Sequence, residues 1–138
     1  MASHTRWAVP LGDILALLLF AYLGQRSHQS FDANFLSGLL LTAAPFILAW
    51  VAVAVVLQSW QRQPSLVAML GALWLPWLVA APLGVLLRAL IQQRTDIPLV
   101  FVLTTLVFGG GVLTVWRLVA WGFGLQRRPA TPANGHTA

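Results

Sequence analysis

Asp13 and Arg117 are the two residues of this chain best placed to do chemistry inside an apolar environment. Both lie within or at the edge of long hydrophobic runs, where an ionised side chain costs roughly 2.5–3.5 kcal/mol at a helix centre. If the first and last runs touch, Asp13 and Arg117 fall at the same boundary and offset each other's desolvation. The first reading is a structural ion pair, or two side chains reaching to the interface. The second is a proton or ion relay.

A polar group gathers at the opposite boundary. Arg26, Ser27 and His28 follow the first run, and Arg88, Arg94 and Asp96 surround the end of the third. Arginine suits bidentate contact with phosphate, so this candidate polar mouth could take an anion or a lipid phosphate. Its plainer reading is interfacial anchoring. A third group is apolar: Trp50, Trp74 and Trp77, with Pro76, fall well inside the membrane by helical rise. They form a candidate apolar cleft for a quinone, carotenoid or lipid chain, or else they are packing.

No catalytic residues emerge. The chain lacks a plausibly buried Ser-His-Asp set, a carboxylate pair, HExxH and a phosphate loop. With no cysteine, disulfides, thiolate metal sites and iron–sulfur clusters are excluded. His4, His28 and His136 are too scattered for a metal trio, so no metal and no cofactor is expected, and no enzyme.

These residues need elements to hold them, and composition names the kind. Of 138 residues, 59% are apolar and 8% charged, against about 25% charged in a soluble domain. So short a chain has too little interior to hide that much apolar surface, so the surplus faces lipid. The eight cationic side chains are all arginine and the three acids all aspartate. The net charge of +5 does not indicate nucleic acid, because the arginines stand singly between apolar runs. They are topology signals.

Four runs are long enough to span a bilayer as helices, which takes about 20 residues. The expected helices are 8–24, 35–57, 66–91 and 97–123. The first also has the outline of a signal peptide, but Tyr22 stands where cleavage needs a small residue, so a retained helix is expected. Short connections make successive helices antiparallel. The fold class is therefore all-α, an up-down-up-down four-helix bundle over residues 1–125, with a disordered cytoplasmic tail at 126–138.

Arg6, Arg62, Arg127, Arg128 and the nearby Arg117 fall on the side of the termini. Arg26, Arg88 and Arg94, diluted by Asp32 and Asp96, fall on the other. The bias puts both termini in the cytoplasm of a cell that carries the chain in its plasma membrane. Trp7, Trp60, Trp116 and Trp121 form an expected interfacial belt on the terminal side. Gly12/Ala16, Ala68/Ala72 and Ala80/Gly84 have the spacing that lets helices approach. Gly109, Gly110 and Gly111 permit close packing or a bend, and Pro45, Pro76 and Pro82 predict kinks.

Scattered residues also resemble a prokaryotic membrane-protein family known as domain of unknown function 3054. They are Gly12-Asp13-Ile14, Phe20, Gly24-Gln25-Arg26-Ser27-His28, Ala44-Pro45-Phe46, Pro82-Leu83-Gly84 with Arg88, and Pro98-Leu99-Val100-Phe101 with Val102. Gln25 departs from the pattern, which often has a basic residue there. The resemblance runs over about residues 11–116. It implies four membrane helices and no assigned activity. The expected function is a non-enzymatic accessory or scaffold component of a membrane assembly, its partners being the lipid bilayer and either further copies or other membrane proteins. The alternatives are an oligomeric transporter or channel for a small ion, and a binder of an apolar ligand.

Overall fold

A computed structural model describes residues 2–26 and 34–129. Among the described residues, four helical spans are long and apolar enough to cross a membrane. They are α1 (Ala2–Arg26), α2 (Phe35–Val56), α3 (Leu66–Ile91) and a composite fourth span. The fourth consists of α4 (Leu99–Thr104), a π-helical turn (Thr105–Gly109) and α5 (Gly110–Gly122). The protein is an all-α, multi-pass four-helix bundle embedded in lipid. Adjacent spans pack in sequence, and the fourth closes the ring against both α3 and α1.

Three spans end in the same local device. In the Schellman motif the residue after the cap takes a left-handed conformation and two backbone N–H groups turn back onto the last helical carbonyls. Gln58 (φ 56°), Gln93 (φ 54°) and Gly124 (φ 75°) occupy that position. The long-range N–H bonds are Ser59 to Ala54, Arg94 to Ala89 and Leu125 to Ala120, at 2.9, 2.9 and 3.0 Å. These turns aim Ser59 and Gln126 back into the bundle. At the start of α3 the Ser65 hydroxyl caps the helix by accepting from the Ala68 N–H at 3.1 Å.

The fourth span differs from the single helix expected at 97–123. It begins at Leu99 after Pro98 and widens by one π turn at Thr105–Gly109. Beside that turn Trp77 of α3 donates from its indole Nε1 to the Leu106 carbonyl at 3.0 Å. A β-carbon on Gly109 would lie 2.4 Å from the Trp77 ring, and one on Gly110 would lie 2.3 Å from the Trp74 ring. Inserted side chains are a usual cause of such irregularity. The glycines here admit tryptophan rings.

The same holds elsewhere. Gly12 of α1 faces the Trp116 indole of α5, and a β-carbon there would lie 1.9 Å from the ring. Gly84 of α3 receives Phe46 of α2, and there the two backbones also come close. Gly12, Gly84, Gly109 and Gly110 therefore act as sockets for aromatic rings. Gly111, by contrast, has open space beside it. Gly12→Ala is expected to lower unfolding stability in detergent by about 1–3 kcal/mol, the cost of overpacking. Gly111→Ala is expected to be neutral or mildly stabilising through helix propensity. Chemical unfolding followed by circular dichroism separates the two.

Candidate functional site

Asp13 and Arg117 form a fully buried, bidentate ion pair. Arg117 Nε donates to Asp13 Oδ1 at 2.8 Å, and Nη2 donates to Oδ2 at 2.6 Å. Their meeting follows from their neighbours. Gly12 admits the Trp116 ring, and the Trp116 indole donates to the Val9 carbonyl at 3.3 Å. That contact fixes α1 against α5 so that the next residue on each helix, Asp13 and Arg117, also meets.

The remaining donors of Arg117 are also used. Nη1 donates to the Ser59 carbonyl and to Gln126 Oε1, both at 3.1 Å. Nη2 makes its second bond to Ser59 Oγ at 3.1 Å. All five guanidinium N–H groups are thereby satisfied. Asp13 Oδ2 accepts further from the indoles of Trp50 and Trp60, at 3.0 and 2.8 Å. Ser59 Oγ passes its own hydrogen to the Ala72 carbonyl at 2.6 Å. Gln126 Nε2 donates to the carbonyls of Ser59 and Gln61, at 2.9 and 3.2 Å. The Arg117 guanidinium also stands 5.9 Å from the centre of the Trp50 ring.

The network draws on every span and on both segments at the terminal end of the bundle. Two of its members correct the reading of the sequence. Trp60 and Trp116 do more than line an interface, because their indole N–H groups anchor to Asp13 and to Val9. The chain from Gln126 is not free tail at its start. Gly124 turns it back, Gln126 is buried, and Gln63 and Arg127 form a short bridge through Gln63 N to Gln126 O (2.8 Å) and Arg128 N to Gln63 O (2.9 Å). Residues 130–138 lie outside the described residues.

The polar mouth is only partly assembled. Arg88, Gln92, Arg94 and Asp96 line one small cavity of about 100 Å³, together with Val85 and Phe101. Arg88 lies over the Phe101 ring, 4.8 Å from its centre. Arg26 is exposed at the end of α1 and does not line this cavity. Ser27, His28 and Asp32 lie outside the described residues.

The tryptophan group is packing. Trp50 and Trp77 are fully buried and meet edge to face with centroids 5.9 Å apart, while Trp74 covers Gly110. These rings fill the core where an apolar cleft was expected. An apolar cleft of about 420 Å³ lies elsewhere, between α1, α2 and the fourth span. Phe20, Phe46, Phe101 and Phe108 line it. The sequence carried a signal for this, since these four phenylalanines, like Phe31 and Phe35, fall in the half of the chain's helical pattern away from the termini, but their convergence depends on the bent fourth span. Among the described residues no group of three His, Asp or Glu side chains is placed to hold a metal.

Replacing Arg117 tests the closed network. Lysine keeps the charge but has three donors on one nitrogen, so Arg117→Lys leaves acceptors unfilled. It is expected to cost at least about 2 kcal/mol, at about 1–3 kcal/mol per orphaned buried group. Trp60→Phe removes one donor to a charged acceptor and is expected to cost about 1.5–3 kcal/mol. Denaturant titration of helicity in micelles reads both.

No curated protein and no solved structure matches the chain. A family model does match, described as "Protein of unknown function (DUF3054)", over residues 10–120. That span contains Asp13, Arg117, Trp50, Trp60 and Ser59 and stops short of Gln126. With its four membrane spans and most of its buried polar network inside the matched region, the chain belongs to the DUF3054 family.

Proposed function

We propose that the protein is a non-enzymatic scaffold or accessory component of a membrane assembly, with its termini in the cytoplasm. The observation that carries this reading is the closed hydrogen bonding of Arg117. A relay needs a charge that can exchange its proton with water or with a neighbour. Asp13 instead accepts from four donors and is completely buried. Neither of the two cavities described above touches Asp13 or Arg117. The pair therefore stabilises one arrangement of the helices and leaves no free group for catalysis or transfer.

What the network holds in place is a plate at the terminal end of the bundle. The α2–α3 connection and the segment after α5 are clipped together, with Arg62 Nη1 donating to the Arg127 carbonyl at 2.9 Å. Arg62, Arg127 and Arg128 are exposed on it. Arginines on this side also support the cytoplasmic placement. A pre-ordered cationic plate beside the membrane loses little entropy on docking, which suits a scaffold for a partner with an acidic face.

Two measurements bear on this. In proteoliposomes with a lumenal pH dye, proton flux driven by a potassium potential is expected to equal that of empty vesicles. Flux that disappears in Asp13→Asn would replace the scaffold reading with the relay. After gentle extraction from native membranes, intact mass spectrometry is expected to find the 15.0 kDa chain bound to another membrane protein or to a second copy. A bare monomer would count against the reading.

A further inference from the structure

We infer that the half of the bundle away from the termini holds one anionic phospholipid, its phosphate on Arg88 and Arg94 and an acyl chain in the phenylalanine-lined cleft. This goes beyond the scaffold reading and is independent of it.

The headgroup end is the small cavity between α3 and the start of α4. Its wall carries two arginines and one carboxylate, Asp96, which leaves one positive charge. Among the described residues no ion pair joins Asp96 to either arginine. Arg88 Nε is buried and has no hydrogen-bond partner. A buried donor left unmade is costly, and its burial shuts this one off from bulk water. Stacking on Phe101 holds the guanidinium plane, which leaves its edge for bidentate contact with a phosphate oxygen pair.

The chain end is the larger cleft. Its volume, about 420 Å³, is within the range of about 300–1,000 Å³ usual for ligand sites. Its walls are hydrocarbon and aromatic apart from threonines and backbone, and no charged residue lines it. Phe101 belongs to both cavities. The cationic pocket and the apolar cleft therefore adjoin at one ring. A molecule filling both has an anionic head joined to a long hydrocarbon chain. The position agrees as well: α1 and α3 both end on this side, so the pocket lies at the headgroup level and the cleft below it. A bilayer supplies such a molecule at high local concentration.

The test is native mass spectrometry of the purified full chain in mild detergent, titrated with phosphatidylglycerol or with phosphatidylcholine of the same acyl chains. One phosphatidylglycerol is expected to be retained at least about tenfold more tightly than phosphatidylcholine, which has the same phosphate but sets its choline cation against the net positive charge of the pocket. Arg88→Gln is expected to abolish that preference. Thr104→Trp, at an exposed position on the cleft wall, is expected to lower retention of both lipids, with helicity unchanged. Arg6→Gln, exposed at the other end of the bundle, is expected to change nothing. Equal retention of the two lipids by the unaltered protein would overturn the proposal, as would a preference that survives Arg88→Gln. Displacement of the lipid by millimolar inorganic phosphate alone would also overturn it, since the acyl chain would then contribute nothing.

Discussion

An arginine side chain buried in a membrane bundle has to find a partner for each of its five N–H groups, and Arg117 meets that demand from one carboxylate, one carbonyl, one hydroxyl and one amide. Much of the architecture can be understood as the means of bringing those acceptors together. Asp13 comes from α1, Ser59 from the turn after α2, and Gln126 from the turn after α5. Trp50 and Trp60 then both donate to the carboxylate oxygen Oδ2 that also accepts from Arg117 Nη2. A buried ion pair adds little net stability compared with a well-packed apolar pair, because desolvation offsets attraction. Its force is in specificity. Any slip of α1 against α5 leaves a charge unpaired in a medium that cannot solvate it.

The aromatic side chains set the distances over which that pairing works. Lipid gives no hydrophobic drive between helices, so contact depends on packing. Here the contacts are rings seated on glycines: Trp116 on Gly12, Phe46 on Gly84, Trp77 on Gly109 and Trp74 on Gly110. The last two sit at and just after the π turn, which reconciles the fourth span with two large rings arriving from α3. π turns are often found near functional sites. In this bundle the turn also borders the apolar cleft through Thr105 and Phe108.

Much of this was legible in the sequence, and the remainder was hidden for definite reasons. The four spans follow from hydrophobic length. Asp13 and Arg117 stand out because charges in apolar runs are rare. Ser59 and Gln126 could not be read as their partners, since each is aimed by a left-handed residue just before it, Gln58 and Gly124. Gly124 hints at its turn, but Gln58 does not, because glutamine is an uncommon residue at positive φ. The inner tryptophans are ambiguous by composition, since a ring in the core and a ring on a cleft wall have the same sequence. The glycines that would seat them were visible, but which ring meets which glycine is a tertiary fact.

Asp13 and Arg117 act as one unit, and a double-mutant cycle in detergent micelles tests that most directly. Asp13→Leu and Arg117→Met, each alone, leave a buried charge without its partner. Each is expected to lower unfolding free energy by about 3–5 kcal/mol. The double variant is expected to lose less than either single one, because an apolar pair carries no unpaired charge. Losses that simply add would contradict the account, for then the two side chains would stabilise the bundle independently.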